Sequence, residues 1–168
     1  MLEQIHQHCI SLFERAEVQF QCWQHEPILD FATDARLAEA LGWQAAPTKS
    51  LFLRCRDGRH ALLLTHRDSR LDSRRVKALL GSRPSLCSDE EMSEVTGCLP
   101  GAVCPFALPA HIPLLVDPAL LSHDELMFTP GLPEWTFAFA STRLPALLNA
   151  LPNPVSWLPD DDQSGEAA

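Results

Sequence analysis

The sequence predicts a mixed α/β fold: a single domain over residues 1–152 followed by a short acidic tail over residues 153–168. Three observations carry this reading. Helix-spaced apolar positions alternate along the chain with short apolar runs of strand length. Two of those runs, residues 49–55 (KSLFLRC) and 59–65 (RHALLLT), flank Asp57-Gly58, a strong hairpin signal. The 168 residues are 46% hydrophobic, enough for one substantial core. Strands arranged both in hairpins and between helices imply a mixed, partly antiparallel and barrel-like sheet surrounded by helices.

Residues 2–18 place Leu2, Ile5, Cys9, Leu12, Phe13 and Ala16 on one helical face. A short strand follows at 20–23. Thr33 can cap a helix running to Leu41, with Gly42 beyond its end. After the hairpin, Asp72 caps a helix to about Leu80 that Gly81 closes. Ser88 and Glu91 have capping-box spacing, so a second short helix spans 89–96 and stops at Gly97. Beyond the 97–111 loop, residues 112–116 read as a buried strand, and 126–128 and 134–140 as two more. Ser141 or Thr142 starts a last helix to about Leu151, with Pro145 tolerated in its first turn. The acidic, small-residue tail that follows has the composition of a disordered segment.

Composition excludes several function classes. No apolar run is long enough to cross a bilayer, and the N-terminus lacks a basic region followed by an apolar one, so the cytoplasm is the expected compartment. Walker and dinucleotide loops, a GxSxG elbow and HExxH are all absent. The six cysteines have neither CxxC nor zinc-finger spacing and read as free thiols, several of them small core residues. His6, His8 and Cys9 do not converge as metal ligands on one helix face, so the histidines read as surface residues and no metal or cofactor is expected. The net charge of −9 argues against a general nucleic-acid coat. It is unevenly spread, however: residues 49–83 carry +7 and the remainder −16. Twelve of fourteen prolines lie at or after Pro84, so short elements and rigid turns build the second half.

Three stretches stand out chemically. In Pro47-Thr48-Lys49-Ser50-Leu51-Phe52-Leu53, Lys49 is one of only two lysines. It is either a strand-end lysine snorkelling to water or a fixed ammonium at a pocket mouth. Gly97-Cys98-Leu99-Pro100-Gly101 is either a helix cap and turn or a rigid loop whose amides face a cleft. Phe128-Thr129-Pro130-Gly131-Leu132-Pro133-Glu134 is a turn between strands, with Glu134 as a weak candidate base.

Together these stretches resemble one family. Lys-x-Leu-Phe-Leu at 49–53, Gly-x-x-Pro-Gly-x-Val-x-Pro-Phe-x-Leu at 97–108, and a strand ending in Val116-Asp117 with leucines shortly after are similar, in order and spacing, to the YbaK-type family of prolyl-tRNA synthetase editing domains and their free-standing relatives. The resemblance spans residues 33–148. It implies that family's fold and a trans-editing aminoacyl-tRNA deacylase, which cleaves the ester of a small wrong amino acid such as Ala, Ser or Thr from tRNA. Selection by size alone needs such a second site, since one methylene discriminates by only about 1–3 kcal/mol.

The resemblance further implies catalytic roles for Lys49 and Gly101, with Ser50, Leu51, Gly97, Pro100, Thr129 and Gly131 shaping the amino-acid site. Water would be the nucleophile. Gly101 would then allow close approach of substrate, so that its replacement by Ala costs activity more than stability. Two departures from the family pattern, Ser50 where many members have Asn and Thr129-Pro130-Gly131 where some have His-Pro, put the amino-acid preference in question. The implied partner is the tRNA acceptor end; the acidic remainder, by its charge alone, suggests weak tRNA affinity and a synthetase or elongation factor sharing the task, and neither DNA nor membrane is expected. The basic 49–83 block reads either as a phosphate-contacting face or as a solvated surface. Two rival readings are a cysteine hydrolase using Cys98 or Cys104 with His111, and a non-catalytic module of the same fold that binds tRNA ends or a synthetase.

Overall fold

A computed structural model describes residues 1–159. The order of elements is α1 (Leu2–Arg15), β1 (Gln21–Gln24), α2 (Phe31–Leu41), β2 (Ala46–Arg54), β3 (His60–His66), α3 (Ser73–Leu80), β4 (Ser85–Leu86), α4 (Asp89–Thr96), β5 (Leu114–Val116), β6 (Glu125–Phe128), β7 (Trp135–Ala140), α5 (Leu144–Asn149) and β8 (Val155–Trp157), with 3₁₀ turns at Pro118–Ser122 and Ser141–Arg143.

The β2–β3 hairpin is the axis of the sheet. It pairs antiparallel over seven positions, from Thr48 opposite His66 to Arg54 opposite His60. β6, β7 and β1 extend one side and β5 and β8 the other, in the order β1-β7-β6-β2-β3-β5-β8, while β4 joins the far end of β2. The β2–β6, β3–β5 and β5–β8 pairs are parallel and the rest antiparallel, so the sheet is mixed as expected. It is not a barrel. The path ends in strands of four and three residues, β1 and β8, which do not pair with each other.

Side-chain alternation explains the unbroken apolar run of β3. Leu62 and Leu64 enter the large core beneath α1, whereas Ala61 and Leu63 enter a smaller core shared with Val76 and Leu80 of α3. A strand covered on both faces needs no polar alternate. Phe13 of α1 is the hub of the large core: its ring stacks on Phe128 and meets Phe106, Phe137 and Phe139 edge-on, at 5.5–6.1 Å between centroids.

Several boundaries differ from the sequence reading, each for a local reason. α1 ends at Arg15 because Glu17 turns left-handed (φ 56°) and Val18 bonds back to the Phe13 carbonyl. α2 is capped by Asp30, not Thr33: the Asp30 carboxylate accepts the Thr33 amide at 2.7 Å. β2 begins at Ala46, since Pro47 lies where its carbonyl can take the Arg67 amide (2.9 Å) and no donor is needed from it. α5 closes at Asn149. The domain boundary at 152 falls short as well: β8 pairs with β5, and Leu158 is buried in the smaller core. The expected disorder of the last residues lies outside the described part. Among the described residues no helix is long and apolar enough to cross a membrane.

Candidate active site

Where β2 and β6 run parallel, their ends open onto a cavity of about 450 Å³. The N-terminus of α2, its preceding turn and the 101–103 loop complete the wall. That volume falls in the range of small-molecule sites.

Lys49, Ser50, Gly101 and Thr129 all line this cavity, although they come from three separate stretches. Lys49 is half-buried and its ammonium donates to the Ser69 carbonyl in the turn after β3, which holds the side chain across the strand end. Lys49 thus borders the cavity, while its ammonium is engaged by a carbonyl whose residue, Ser69, lines a neighbouring depression.

The other four expected residues lie elsewhere. Leu51 shares a face of β2 with Lys49 but lies two residues further along the strand, where it packs on the smaller core. Pro100 is exposed beside Gly101 without lining the cavity. Gly97 caps α4 (φ 77°), and a Cβ there would lie 2.6 Å from the Met1 sulfur. At Gly131 (φ 92°) a Cβ would lie 2.6 Å from Ile5 Cγ2. Both glycines are contact points for α1. Gly101 (φ 80°) also serves a protein contact: its Cβ would stand 2.6 Å from the Leu29 carbonyl oxygen. The expectation that Gly101 matters for substrate approach more than for stability is therefore corrected, because the 97–103 loop docks on the turn before α2 at this point.

Five polar groups of the cavity were not foreseen. Arg67 pairs with Asp34 at 2.9 Å, and its guanidinium lies 4.3 Å over the Phe31 ring. The partners are 33 residues apart, so no local pattern announces them. Asp30 carries the cap described above, and the Thr33 amide holds its carboxyl below the ordinary range. The Asp-Phe-Ala-Thr spacing was the available signal. Thr48 and Thr136 lie on β2 and β7. The Thr48 hydroxyl donates to the Met127 carbonyl at 2.8 Å. Thr136 Oγ1 lies 2.8 Å from His25 Nε2, while His25 Nδ1 lies 2.6 Å from the Glu26 carbonyl. A carbonyl can only accept, so Nδ1 carries a ring proton; in the neutral imidazole Nε2 is then a lone pair, and Thr136 is the donor. With a neutral His25 ring, both hydroxyl protons are committed to the protein, and each oxygen is left with acceptor capacity only.

The cysteine alternative finds no geometry. Cys98 and Cys104 are core residues, 3% and 1% exposed, and Cys104 Sγ lies 3.9 Å from Cys9 Sγ. Burial, foremost, pushes the Cys98 thiol up. Neither cysteine lines the cavity, and His111 borders a different depression beside Cys55 and His60. Glu134 does not line the cavity either; its carbonyl accepts the His25 amide. His6 is not a surface histidine: it is buried, with Nδ1 3.2 Å from the Pro130 carbonyl and its ring against Trp135 and Phe137. The basic block is likewise not one uniform face. Arg67 turns to Asp34, Arg75 donates to the Pro159 carbonyl and lies 3.9 Å from Asp117, and Arg59 meets Asp57 and the Leu80 carbonyl.

Comparison with known proteins places this geometry. The family model described as "Aminoacyl-tRNA editing domain" matches residues 29–146, which include every cavity-lining segment except Ile28. The multifunctional Ser/Thr-tRNA deacylase ProXp-y of Escherichia coli K12 is 30% identical over 134 residues, covering 76% of this chain and 78% of that protein, and its counterpart in the O157:H7 strain matches equally. Among solved structures, the hypothetical protein APE2540 superposes with a TM-score of 0.75 at 24% identity, covering 90% of this chain and 98% of the other. A candidate trans-editing enzyme for prolyl tRNA synthetase superposes at 0.70 and 24%, covering 93% and 97%; both likenesses establish the fold. The chain belongs to the aminoacyl-tRNA editing domain family and is an enzyme of the aminoacyl-tRNA deacylase class.

Proposed function

We propose that the protein hydrolyses the ester joining serine or threonine to the 3′-terminal ribose of a mischarged tRNA. The carrying observation is the cavity itself. It joins a held ammonium, Lys49, to the Gly101 loop and to two hydroxyl oxygens, Thr48 and Thr136, that can only accept hydrogen bonds from a ligand. A seryl or threonyl side chain supplies the hydroxyl donor such a wall lacks, and an alanyl side chain does not. A site built to hydrogen-bond a substrate hydroxyl discriminates far better than one that only measures size. The relatives described as Ser/Thr-tRNA deacylases support the same preference.

In this reading water attacks the ester carbonyl, the new carbon–oxygen bond forms as the bond to the ribose oxygen breaks, and the water proton passes to that oxygen, with the vicinal ribose hydroxyl as relay. Lys49 stabilises the oxyanion, and backbone amides of the Gly101 loop assist. Ser50 and Thr129 border the amino-acid end. Arg67 over Phe31 offers a planar cationic surface at the rim for the terminal nucleotide, by stacking and phosphate contact. With −16 outside residues 49–83, contact is confined to the acceptor end, and a synthetase or elongation factor shares the delivery of substrate.

The test is a deacylation panel of Ser-, Thr- and Ala-charged tRNAs with the wild type and Lys49→Met. Faster loss of the seryl and threonyl esters, abolished in the variant, is the expected result. If no ester is cleaved faster than in buffer, the proposal fails.

A further inference from the structure

Away from the cavity, three elements bring a nitrogen, a sulfur and an oxygen donor together. His60 opens β3, Cys87 follows β4, and Glu91 lies one turn later in the first turn of α4. Their donor atoms all lie within 4.8 Å of one another, each residue is half-buried, and none of them lines the cavity. His60 Nε2 stands 3.6 Å from Glu91 Oε1. That is the edge of a coordination tetrahedron: with metal–nitrogen and metal–oxygen bonds of about 2.0–2.2 Å, neighbouring donors sit roughly 3.3–3.6 Å apart.

Two further features point to a ligand. His60 Nε2 is a buried nitrogen whose facing acceptor, Glu91 Oε1, stands just beyond normal hydrogen-bond length at 3.6 Å, and the Cys87 thiol turns to the same carboxylate. Its ring is set by stacking on Phe52, 5.2 Å between centroids and 18° between planes. The Cys87 amide bonds to the Phe52 carbonyl (3.0 Å), and Ser88 caps α4, so the loop carrying the thiol is fixed on both sides of it. Arg54 Nη1 approaches the same Glu91 oxygen only to 3.5 Å from a side chain that is more than half exposed. This loose contact can open without disturbing the fold.

We propose that His60, Cys87 and Glu91 form a binding site for a divalent, thiophilic metal ion of the zinc class, with water in the fourth position. Imidazole, thiolate and carboxylate together suit a borderline-soft ion and disfavour calcium and magnesium, which prefer all-oxygen shells. Binding displaces the thiol proton to solvent and frees Glu91 from Arg54. The ion would tie β3 to the start of α4, the helix whose far end delivers the Gly97–Gly101 loop. This is a structural clamp, independent of the deacylase reading.

The test uses the full chain after chelator treatment. Zn²⁺ alone is titrated calorimetrically, and Co²⁺ alone is added as a spectroscopic probe. The expected result is one equivalent of Zn²⁺, a thiolate-to-cobalt charge-transfer band, and at least tenfold weaker binding with loss of the band in Cys87→Ser. Because six cysteines are present, the band must vanish in that variant specifically. Glu91→Gln, which keeps the shape of the side chain, must also weaken binding tenfold while circular dichroism stays that of the wild type. Absence of a charge-transfer band in the wild type, or equal Zn²⁺ affinity in wild type and Cys87→Ser, overturns the proposal.

Discussion

The Cβ position of Gly101 lies 2.6 Å from the carbonyl oxygen of Leu29, so the two loops that frame the cavity touch backbone to backbone. With φ at 80°, the residue is also in a region that L side chains enter at a cost of about 1–2 kcal/mol. Gly101→Ala is therefore expected to lower stability by about 2 kcal/mol or more and to reduce deacylation by displacing the turn before α2. Chemical denaturation and turnover measured together check this; unchanged stability with lost activity would restore a purely catalytic role.

Lys49 of β2 lines the cavity, and its ammonium is held by the Ser69 carbonyl. Lys49→Met keeps the apolar stem and removes the charge. A fall in kcat of about a hundredfold, with the melting temperature little changed, is expected from the loss of one oxyanion partner. A KM effect alone would move Lys49 from the chemistry to substrate binding.

Arg67 joins Asp34 and Phe31 of α2 to the end of β3. Its replacement by Ala should destabilise by about 1–2 kcal/mol, since the pair is four-fifths buried and adds a cation–π contact. KM should rise more than kcat falls, which initial-rate kinetics over a range of tRNA concentrations resolves.

Thr136→Val is nearly isosteric and leaves His25 Nε2 without its donor. Stability should drop by about 1 kcal/mol. The preference for seryl and threonyl over alanyl ester should shrink about tenfold, because a hydroxyl acceptor is gone from the wall. A competition assay with the three charged tRNAs reads this directly.

His66 stacks on His123 at 5.0 Å. Burial, foremost, lowers its pKa, and the charges of His123, Arg67 and Lys49 add to this against an opposing pull from Asp68. The folded protein thus binds the proton less readily than the unfolded chain does. Stability is expected to fall as pH drops through the ordinary histidine range near 6.5 and to level off below the folded value. His66→Asn should flatten that part of a melting-temperature profile between pH 8 and 5.

How much of this was legible in the chain differs from place to place. The Asp57-Gly58 hairpin, the Asp72 and Ser88 caps and the glycine stops at 42, 81 and 97 are local chemistry, and each was readable within a few residues. β4 and β8 were not: two and three residues long, they carry too little pattern and exist because β2 and β5 offer open edges. At the cavity, Lys49, Ser50, Gly101 and Thr129, expected from the resemblance, do line the wall. Gly97 and Gly131 belong to the same motifs but are used to seat α1.

By itself the sequence determined the class of fold, the hairpin at its centre and three of the stretches that line the cavity, because caps, turns and strand periodicity act over a few bonds. Only the tertiary structure decided which of those residues share the cavity. Pairing β2 with β6 brings residues some eighty positions apart to one wall, and the same packing sets Arg67 against Asp34, commits the Thr136 proton to His25 and gathers His60, Cys87 and Glu91. Side-chain direction and partner choice across such separations are set by packing, which no local pattern encodes.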